Sequence, residues 1–436
     1  MMSRIWIIVF MVCLCGEAYP ADKPKQPPVL GAPVIPKLKA AKNPIEAILN
    51  GSPDLSFRPR FEHVHQDAIL RPATALTLRS LLGFQTQSFA YFDAHAQLSN
   101  VSAADNSYNS TKNGQKKYSI IADPAYTEFT QAYLGFSGIP SSYLKVGRQL
   151  ITLDNQRFVG AVNFRQNLQN FDAVSAINQS IDHLTFFAAY LNRIESVLTY
   201  AIEAKDLLLN LKYDRLPYLN ISTYAYLLDH HGLITTPTES TDTYGLRLTG
   251  LVSIKDFIWS YTAEYAHQQS AANNPTSYGA FYTHIGIGAA WKMWSLSLEQ
   301  EVLSGKEVLP HHGALPGYRS FRTPLATKHL FQGWADMFAF VPLAGIVDRF
   351  ATLTYSIPMT SFQLTNDVKI SGVYHDFHAQ SKSLRYGDEW DLDVTKMINK
   401  MFSVSVIYAD FMSDLPRPTL YPSTQKVWFS VTATFS

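Results

Sequence analysis

Arginines recur along this sequence, and the chemistry that they offer is the binding of anions. A guanidinium is planar, stays charged at any relevant pH and pairs with a carboxylate through two parallel hydrogen bonds. Rings of such cations select anions in channels. The candidates for an anion-binding, pore-lining role are Arg58, Arg60, Arg79, Arg148, Arg157, Arg165, Arg193 and Arg322.

The alternative interpretation is that many of these arginines form a lattice of ion pairs that only stabilises the fold. Arg148 poses this question most directly, because strict alternation places it on the same face of its strand as Leu144 and Val146. Either a bulge turns its side chain inward, or it lies near an interface.

Acidic residues could hold these arginines in place or oppose them across a pore. The supporting candidates are Glu62, Asp154, Asp172 and Asp336. Later strands are richer in acidic residues, and Glu389 and Asp391 would contribute to an opposing acidic wall. We therefore hypothesise a transverse field across the pore that orients solutes.

The sequence contains none of the motifs that would indicate an enzyme. There is no His-Glu-x-x-His, no Gly-x-Ser-x-Gly and no phosphate loop. Paired histidines occur at 230–231, at 311–312 and at positions 375 and 378, but such loop histidines are more often solvated than bound to metal. We predict no catalytic site, no metal and no cofactor.

The elements that position the charged residues are predicted to be β-strands. Near position 296, for example, Leu296 and Leu298 alternate with Ser297 and Glu299. A soluble sandwich also alternates, but here the second face carries charges of both signs in the middle of strands along the whole chain. A transmembrane barrel with a wet lumen explains this pattern directly.

Composition and the N-terminus agree with an envelope protein. Only 16% of the residues are charged, 13% are aromatic, and the net charge of +1 argues against a nucleic-acid partner. Arg4, an apolar run over 5–14 and Gly16-Glu17-Ala18 predict a signal peptide at 1–18. A membrane anchor or a lipoprotein at Cys15 is the alternative. Both cysteines lie in this segment, so cleavage would leave no thiol.

A Pro-rich periplasmic lead-in is predicted at 19–53, with a short helix around 44–49, and an outer-membrane barrel at 54–436. The fold class is all-β, a transmembrane antiparallel up-and-down barrel of about 18 strands. Irregular alternation indicates a bulge within 126–153. The long connections 100–125, 154–167 and 305–346 are expected to fold inward and narrow an aqueous lumen. The approximate strand spans are 54–65, 73–87, 89–99, 126–138, 142–153, 168–178, 182–194, 204–215, 218–229, 241–254, 256–268, 279–291, 293–304, 347–357, 361–375, 383–397, 401–412 and 424–435.

Several stretches resemble the alginate export family of outer-membrane porins. The resemblance covers the chain after about Pro44, and the blocks in its middle are the most specific. The first stretch reads R-x-R-x-E at the opening of the first strand. The matching stretches are 55–62, 144–149, 154–160, 163–167, 171–174, 321–327, 333–338 and 387–391.

This resemblance implies a passive channel in the bacterial outer membrane with a positively charged constriction that conducts an anionic, alginate-like polysaccharide outward. It also implies a periplasmic partner that delivers the polymer. The alternatives are a general or substrate-specific porin for small carboxylates and, as a weaker one, a barrel protease or lipase. The expected partners are thus outer-membrane lipid and an anionic oligo- or polysaccharide or small carboxylate.

Overall fold

The structure, a computed structural model, describes residues 32–67, 70–231, 239–306, 319–357, 368–416 and 420–435. The predicted signal peptide, residues 19–31 and the histidine pair at 311–312 therefore lie outside the described residues. The start of the strand predicted at 361–375 does so too.

Eighteen long antiparallel strands form a single sheet, in which each strand pairs with its neighbours in sequence. A two-residue extension, His230–His231, adds a short pairing at one rim. The strands are β1 (Ser52–Gln66), β2 (Ala73–Gln85), β3 (Phe92–Ala103), β4 (Tyr126–Phe136), β5 (Ser142–Gln149), β6 (Asn170–Asn178), β7 (Leu184–Glu195), β8 (Ala201–Leu216), β9 (Leu219–Leu227), β10 (Thr241–Ile254), β11 (Phe257–Ser270), β12 (Gly279–Trp291), β13 (Trp294–Leu303), β14 (Ile346–Ile357), β15 (Val368–His378), β16 (Arg385–Met397), β17 (Phe402–Ser413) and β18 (Thr424–Phe435).

The first and last strands close the sheet into a barrel. β1 pairs with β18 in a register that sets Leu55 opposite Phe435 and Gln66 opposite Thr424. Closure leaves no strand edge unpaired, which a sheet exposed to lipid requires. The prediction of an all-β, up-and-down barrel of about 18 strands is confirmed.

Alternation along the strands separates an apolar outer face from a polar inner face. On β13, Leu296 and Leu298 are exposed, whereas Glu301 on the opposite parity is buried. The predicted irregularity is also present. The β3–β4 register shifts between Gln97 and Leu98, and Gly147 on β5 has a φ of +125°.

The two ends of the barrel differ. The start of β1, the end of β18 and mostly short turns, such as 217–218 and 255–256, lie at one end, which we call the short-turn end. The connections 104–125 and 150–169 lie at the other, the long-loop end, as do the described residues of the connection between β13 and β14. A helix, α1 (Pro44–Leu49), precedes β1, and Asn43 caps it by accepting from the Glu46 amide at 2.8 Å.

Two of the long connections fold into the lumen, as predicted, and much of the buried core lies inside the barrel. We call residues 150–169 the first inward loop and residues 319–345 the second inward loop. Their apolar side chains, such as Leu153 and Phe338, pack against wall residues that include Tyr282 and Phe377. Among the described residues, no helix has the length and apolar character needed to cross a membrane.

Candidate functional site

The first inward loop is held by an arginine of β1. The guanidinium of Arg58 donates from Nη1 to the carbonyl oxygen of Asn163 at 2.8 Å. Nη2 donates to the carbonyls of Phe164 at 3.0 Å and Arg165 at 2.5 Å, and Nε donates to Gln166 Oε1 at 3.0 Å. Arg58 is buried, and these four hydrogen bonds bind its guanidinium to the loop.

Arg60 and Arg79 extend this anchor. Arg79 Nη1 donates to Asn163 Oδ1 at 2.9 Å. Arg60 lies 4.4 Å from the ring centre of Phe164 and 3.7 Å from a carboxylate oxygen of Asp123. Three of the predicted pore arginines thus bind the loop that narrows the lumen.

The second inward loop is held from the opposite part of the wall by carboxylates of β16. Glu389 Oε1 accepts from the Ala335 amide at 2.6 Å, and Asp391 Oδ2 accepts from the Trp334 amide at 3.2 Å. Glu389 is fully buried. Gly333 has a φ of +80°, and a Cβ at this position would lie 2.4 Å from Glu389 Oε2, so glycine is required there.

The two loops meet at a charged junction, which consists of Arg165, His329, Asp336 and Lys426. Asp336 accepts from Arg165 at 2.6 Å and from Lys426 at 3.1 Å. His329 Nδ1 lies 2.8 Å from the other oxygen of Asp336. Glu62 lies 3.5 Å from Arg165, and the rings of Phe164 and His329 stack across the two loops.

The protonation states of the junction follow from its surroundings. Burial lowers the pKa of His329 from its ordinary value of 6.5 to about 4, although Asp336 acts in the opposite direction. Burial alone would raise the pKa of the Asp336 carboxyl, but its neighbours Lys426, His329 and Arg165 hold it well below its ordinary value. The junction therefore pairs an ionised carboxylate with a neutral imidazole.

A second contact between the loops involves Arg157. Its guanidinium lies 4.5 Å from the ring centre of Phe331 and 5.4 Å from that of Tyr282. The nearest carboxylate oxygen of Glu301 is 3.8 Å away. Asp154, in the same loop, accepts from Asn210 Nδ2 at 2.7 Å.

A cavity of about 210 Å³ opens beside the junction; we call it the loop cavity. Its charged lining consists of two cations, Arg165 and Lys328, and two carboxylates. The carboxylates are Glu239 and Asp336, and the apolar walls include Ile194, Leu198 and Ile202. The Lys328 ammonium lies 4.0 Å from the ring centre of Phe340 and forms no ion pair among the described residues, although the carboxylate of Glu239 in the same lining attracts it. Burial lowers its pKa.

Lys328 was not among the sequence candidates. The predicted family block ends at Thr327, and a lysine in a long loop carries no signal of its own in the sequence. Arg322 lies nearby and lines a small adjoining space. Its amide donates to Gln268 Oε1 at 2.7 Å.

A second cavity of about 220 Å³ lies along the inner face of β13–β16. Its lining includes Asp348, Asp393 and Lys369, together with Trp334 of the second inward loop. Glu389 and Asp391 are not in its lining, because they lie under that loop.

Two of the candidate arginines lie on the outer face of the barrel. Arg148 pairs across the sheet with Asp172, and both follow the parity of Val146 and Val174, which are 54% and 49% exposed. Arg148 Nε donates to Asp172 at 2.7 Å. Arg193 of β7 pairs across the sheet with Asp172 of β6 and donates to Glu195 at 2.8 Å. The structure therefore does not bring Arg148, Arg193 and Asp172 to the lumen.

The described residues contain no group of three or more histidine, aspartate or glutamate side chains arranged to hold a metal ion. The junction and the loop cavity are built on two loops inside the barrel, and both cations and carboxylates line the cavity.

Comparisons with known proteins identify the family. The model of the alginate export family matches residues 54–387. No curated protein matches the chain. Among solved structures, OccK5 (OpdH) of Pseudomonas aeruginosa aligns with a TM-score of 0.64 and 11% identity, over 89% of this chain and 99% of its own. OccAB3 of Acinetobacter baumannii aligns with a TM-score of 0.67 and 10% identity, over 89% of this chain and 100% of its own.

A third similar structure is Pseudomonas aeruginosa OpdK with vanillate, at a TM-score of 0.65 and 10% identity, over 89% of this chain and 99% of that one. At identities this low, the likeness to the solved structures shows the fold alone. The family model, in contrast, matches most of the chain. The chain belongs to the alginate export family and is a β-barrel channel of the bacterial outer membrane.

Proposed function

We propose that this channel conducts small carboxylates passively and that Arg165 and Lys328 are its anion-binding groups. The observation that carries the proposal is the Lys328 ammonium, which faces the same cavity of about 210 Å³ as Arg165. Lys328 is partly buried and forms no ion pair among the described residues. A cation in such a site attracts an anion, because the lowered local dielectric strengthens the interaction. The positive constriction is thus expected on the inward loops.

The other lumenal arginines support this assignment by their contacts. Arg58 and Arg79 bind the first inward loop, and Arg60 contacts the same loop and Asp123. Their guanidiniums stabilise the constriction, whereas Arg165 and Lys328 border open space. The lumenal candidate arginines therefore divide into residues that anchor the loop and Arg165, which we expect to meet the solute.

The size and lining of the loop cavity favour a small solute. The cavity is about 210 Å³, and Ile194, Leu198 and Ile202 give it apolar walls beside its two cations. A carboxylate attached to a compact or ring-shaped body fits this combination. OpdK, which shares the fold, was solved with vanillate, a ring-shaped carboxylate.

The second candidate is an anionic polysaccharide, and the alginate export family model favours it. A polymer would require both inward loops to move, because the junction joins them across the lumen. A periplasmic partner that delivers polymer belongs to this candidate. The family and the fold point to a channel rather than to an enzyme.

The test is single-channel recording in planar bilayers, with titration of benzoate and of oligouronates of increasing length. We expect anion-selective currents that benzoate and single uronates block, with block lost in Lys328→Met and Arg165→Met. Lys116→Met, an exposed loop lysine, is the matched control. Block that appears only with long oligouronates would contradict the small-carboxylate proposal and support the polymer. Currents without anion preference would contradict both.

A further inference from the structure

The N-terminal segment of the described chain lies inside the barrel. Pro33 and Val34 border a space of only about 20 Å³ whose other walls include Tyr143, Lys145 and Ser175. These wall residues have the parity opposite to Val146 and Val174, which face outward, so they point into the lumen. The segment is therefore seated on the inner face of β5–β7.

The segment enters the lumen from the short-turn end. Its lower part is tied to the turn between β2 and β3, where the Ala41 amide donates to Ser88 O at 2.7 Å and the Ser88 amide donates to Lys39 O at 2.9 Å. From there the chain rises to Pro33, which lies beneath Leu150 and Ile151 at the start of the first inward loop. One end of the segment is thus fixed and the other reaches the constriction.

The upper part of the segment, residues 32–38, is held by packing alone. Ile35 packs against the buried core, while Val34 is 60% exposed. Within the described part of the chain, no hydrogen bond joins residues 32–38 to the wall. Pro33 and Pro36 lack an amide hydrogen and favour an extended backbone, so the segment can leave the wall without losing hydrogen bonds.

We propose that residues 32–38 form a displaceable plug, and that the inner face of β5–β7 is its binding surface. When it is seated, the plug narrows the lumen between the short-turn end and the first inward loop. When it leaves, this half of the lumen widens. The exposed Lys37 moves with the plug, so displacement also changes the charge at this mouth of the channel.

The proposal rests on the protein being a channel and not on the identity of its solute. Its test therefore uses conductance in potassium chloride, which is independent of carboxylate block. If the plug proposal fails, the result of the carboxylate titration is unaffected. If the carboxylate proposal fails, the conductance test of the plug is unaffected.

The first test compares two deletions in the full-length chain. Removal of residues 21–38 should raise the single-channel conductance, because the plug is absent while the anchor at Lys39 and Ala41 remains. Removal of residues 21–31 is the matched control and should leave the conductance at the level of the unmodified protein. A synthetic peptide of residues 32–38, added from the short-turn side, should reduce the current through the longer deletion. Unchanged conductance in the longer deletion would overturn the proposal.

The second test does not require a deletion. Val34 and Ser175 border the same narrow space, and the only cysteines, Cys13 and Cys15, lie in the predicted signal peptide. The double variant Val34→Cys with Ser175→Cys should form a disulfide that holds the plug in place. We expect the oxidised protein to lack the larger-conductance openings and the reduced protein to show them. Absence of the disulfide, or large openings that persist in the oxidised protein, would overturn the proposal.

Discussion

The two inward loops are held from two parts of the same wall by hydrogen-bonding groups of opposite kind, donors for the first loop and acceptors for the second. On β1, Arg58 binds the first inward loop through its carbonyl oxygens, including that of Asn163 at 2.8 Å. On β16, carboxylates bind the second inward loop through its amides, as Glu389 does with Ala335 at 2.6 Å. Arg58 thus donates to backbone carbonyl oxygens of one loop, and Glu389 accepts from a backbone amide of the other.

This difference bears on how the loops can move. A guanidinium stays charged at every relevant pH, so the anchor of the first inward loop does not titrate. A carboxylate and an imidazole change charge with pH, and the second inward loop depends on both at the junction, where Asp336 lies against His329. We therefore expect the first inward loop to stay in place when the pH changes. The second inward loop is the one that a change of pH can release from the wall.

The largest expected effect comes from Arg58→Ala. The substitution removes four hydrogen bonds and leaves buried loop carbonyls without donors, which we expect to cost about 4 kcal/mol of loop anchoring. The first inward loop should leave the lumen, and the single-channel conductance should rise. Arg58→Lys is the control, because it keeps the charge but not the fork-shaped donor set. A conductance equal to that of the unmodified channel would show that the anchor is unnecessary.

A smaller effect is expected from Glu389→Ala. The Ala335 amide loses its acceptor, at a cost of about 2 kcal/mol. The second inward loop should become more susceptible to limited proteolysis, with the first inward loop unaffected. Glu389→Gln keeps an acceptor oxygen and should retain most of the protection. Equal protease sensitivity in the two variants would mean that charge, rather than the hydrogen bond, holds this loop.

Acidification should loosen the second inward loop but not the Arg58 anchor. The pKa of His329 is about 4 in the seated loop and 6.5 ordinarily, so a released loop takes up the proton first. Stability is therefore lost as the pH falls from about 6.5 toward 4, by about 2 kcal/mol at about pH 5. The depressed pKa of Asp336 acts in the same direction at lower pH. The measurement is conductance against pH, and His329→Phe should flatten the profile. An unchanged profile in this variant would assign the titration to another group.

The smallest effect on permeation is expected from Arg148→Met. Arg148 lies on the outer face with Asp172, so its loss should leave conductance and ion selectivity unchanged. Arg165→Met, the matched substitution inside the lumen, should reduce anion selectivity. Reversal potentials in a salt gradient compare the two variants. A shift in Arg148→Met as large as that in Arg165→Met would contradict the outward placement.

The strands could be predicted closely because period-two alternation is a local property. The spans expected at 241–254 and 424–435 match β10 and β18, and the irregularity expected within 126–153 matches the register shift opposite Gln97. Arg148 could not be assigned from the sequence, because a bulge would have reversed its face. The continuous β5–β6 register decides that it faces outward.

The sequence by itself determined that this protein is a barrel with charged residues on its inner strand faces. Alternation and composition are local properties that can be read directly from the order of the residues. Only the tertiary structure decided which charges hold the loops and which border open space. Arg58 and Glu389 are separated by 331 positions from each other in sequence order, yet both are used to hold loops, while Lys328 faces open space. The physical reason is that the effect of a charge depends on its neighbours in space. Here the two long loops that fold into the lumen determine which groups become neighbours.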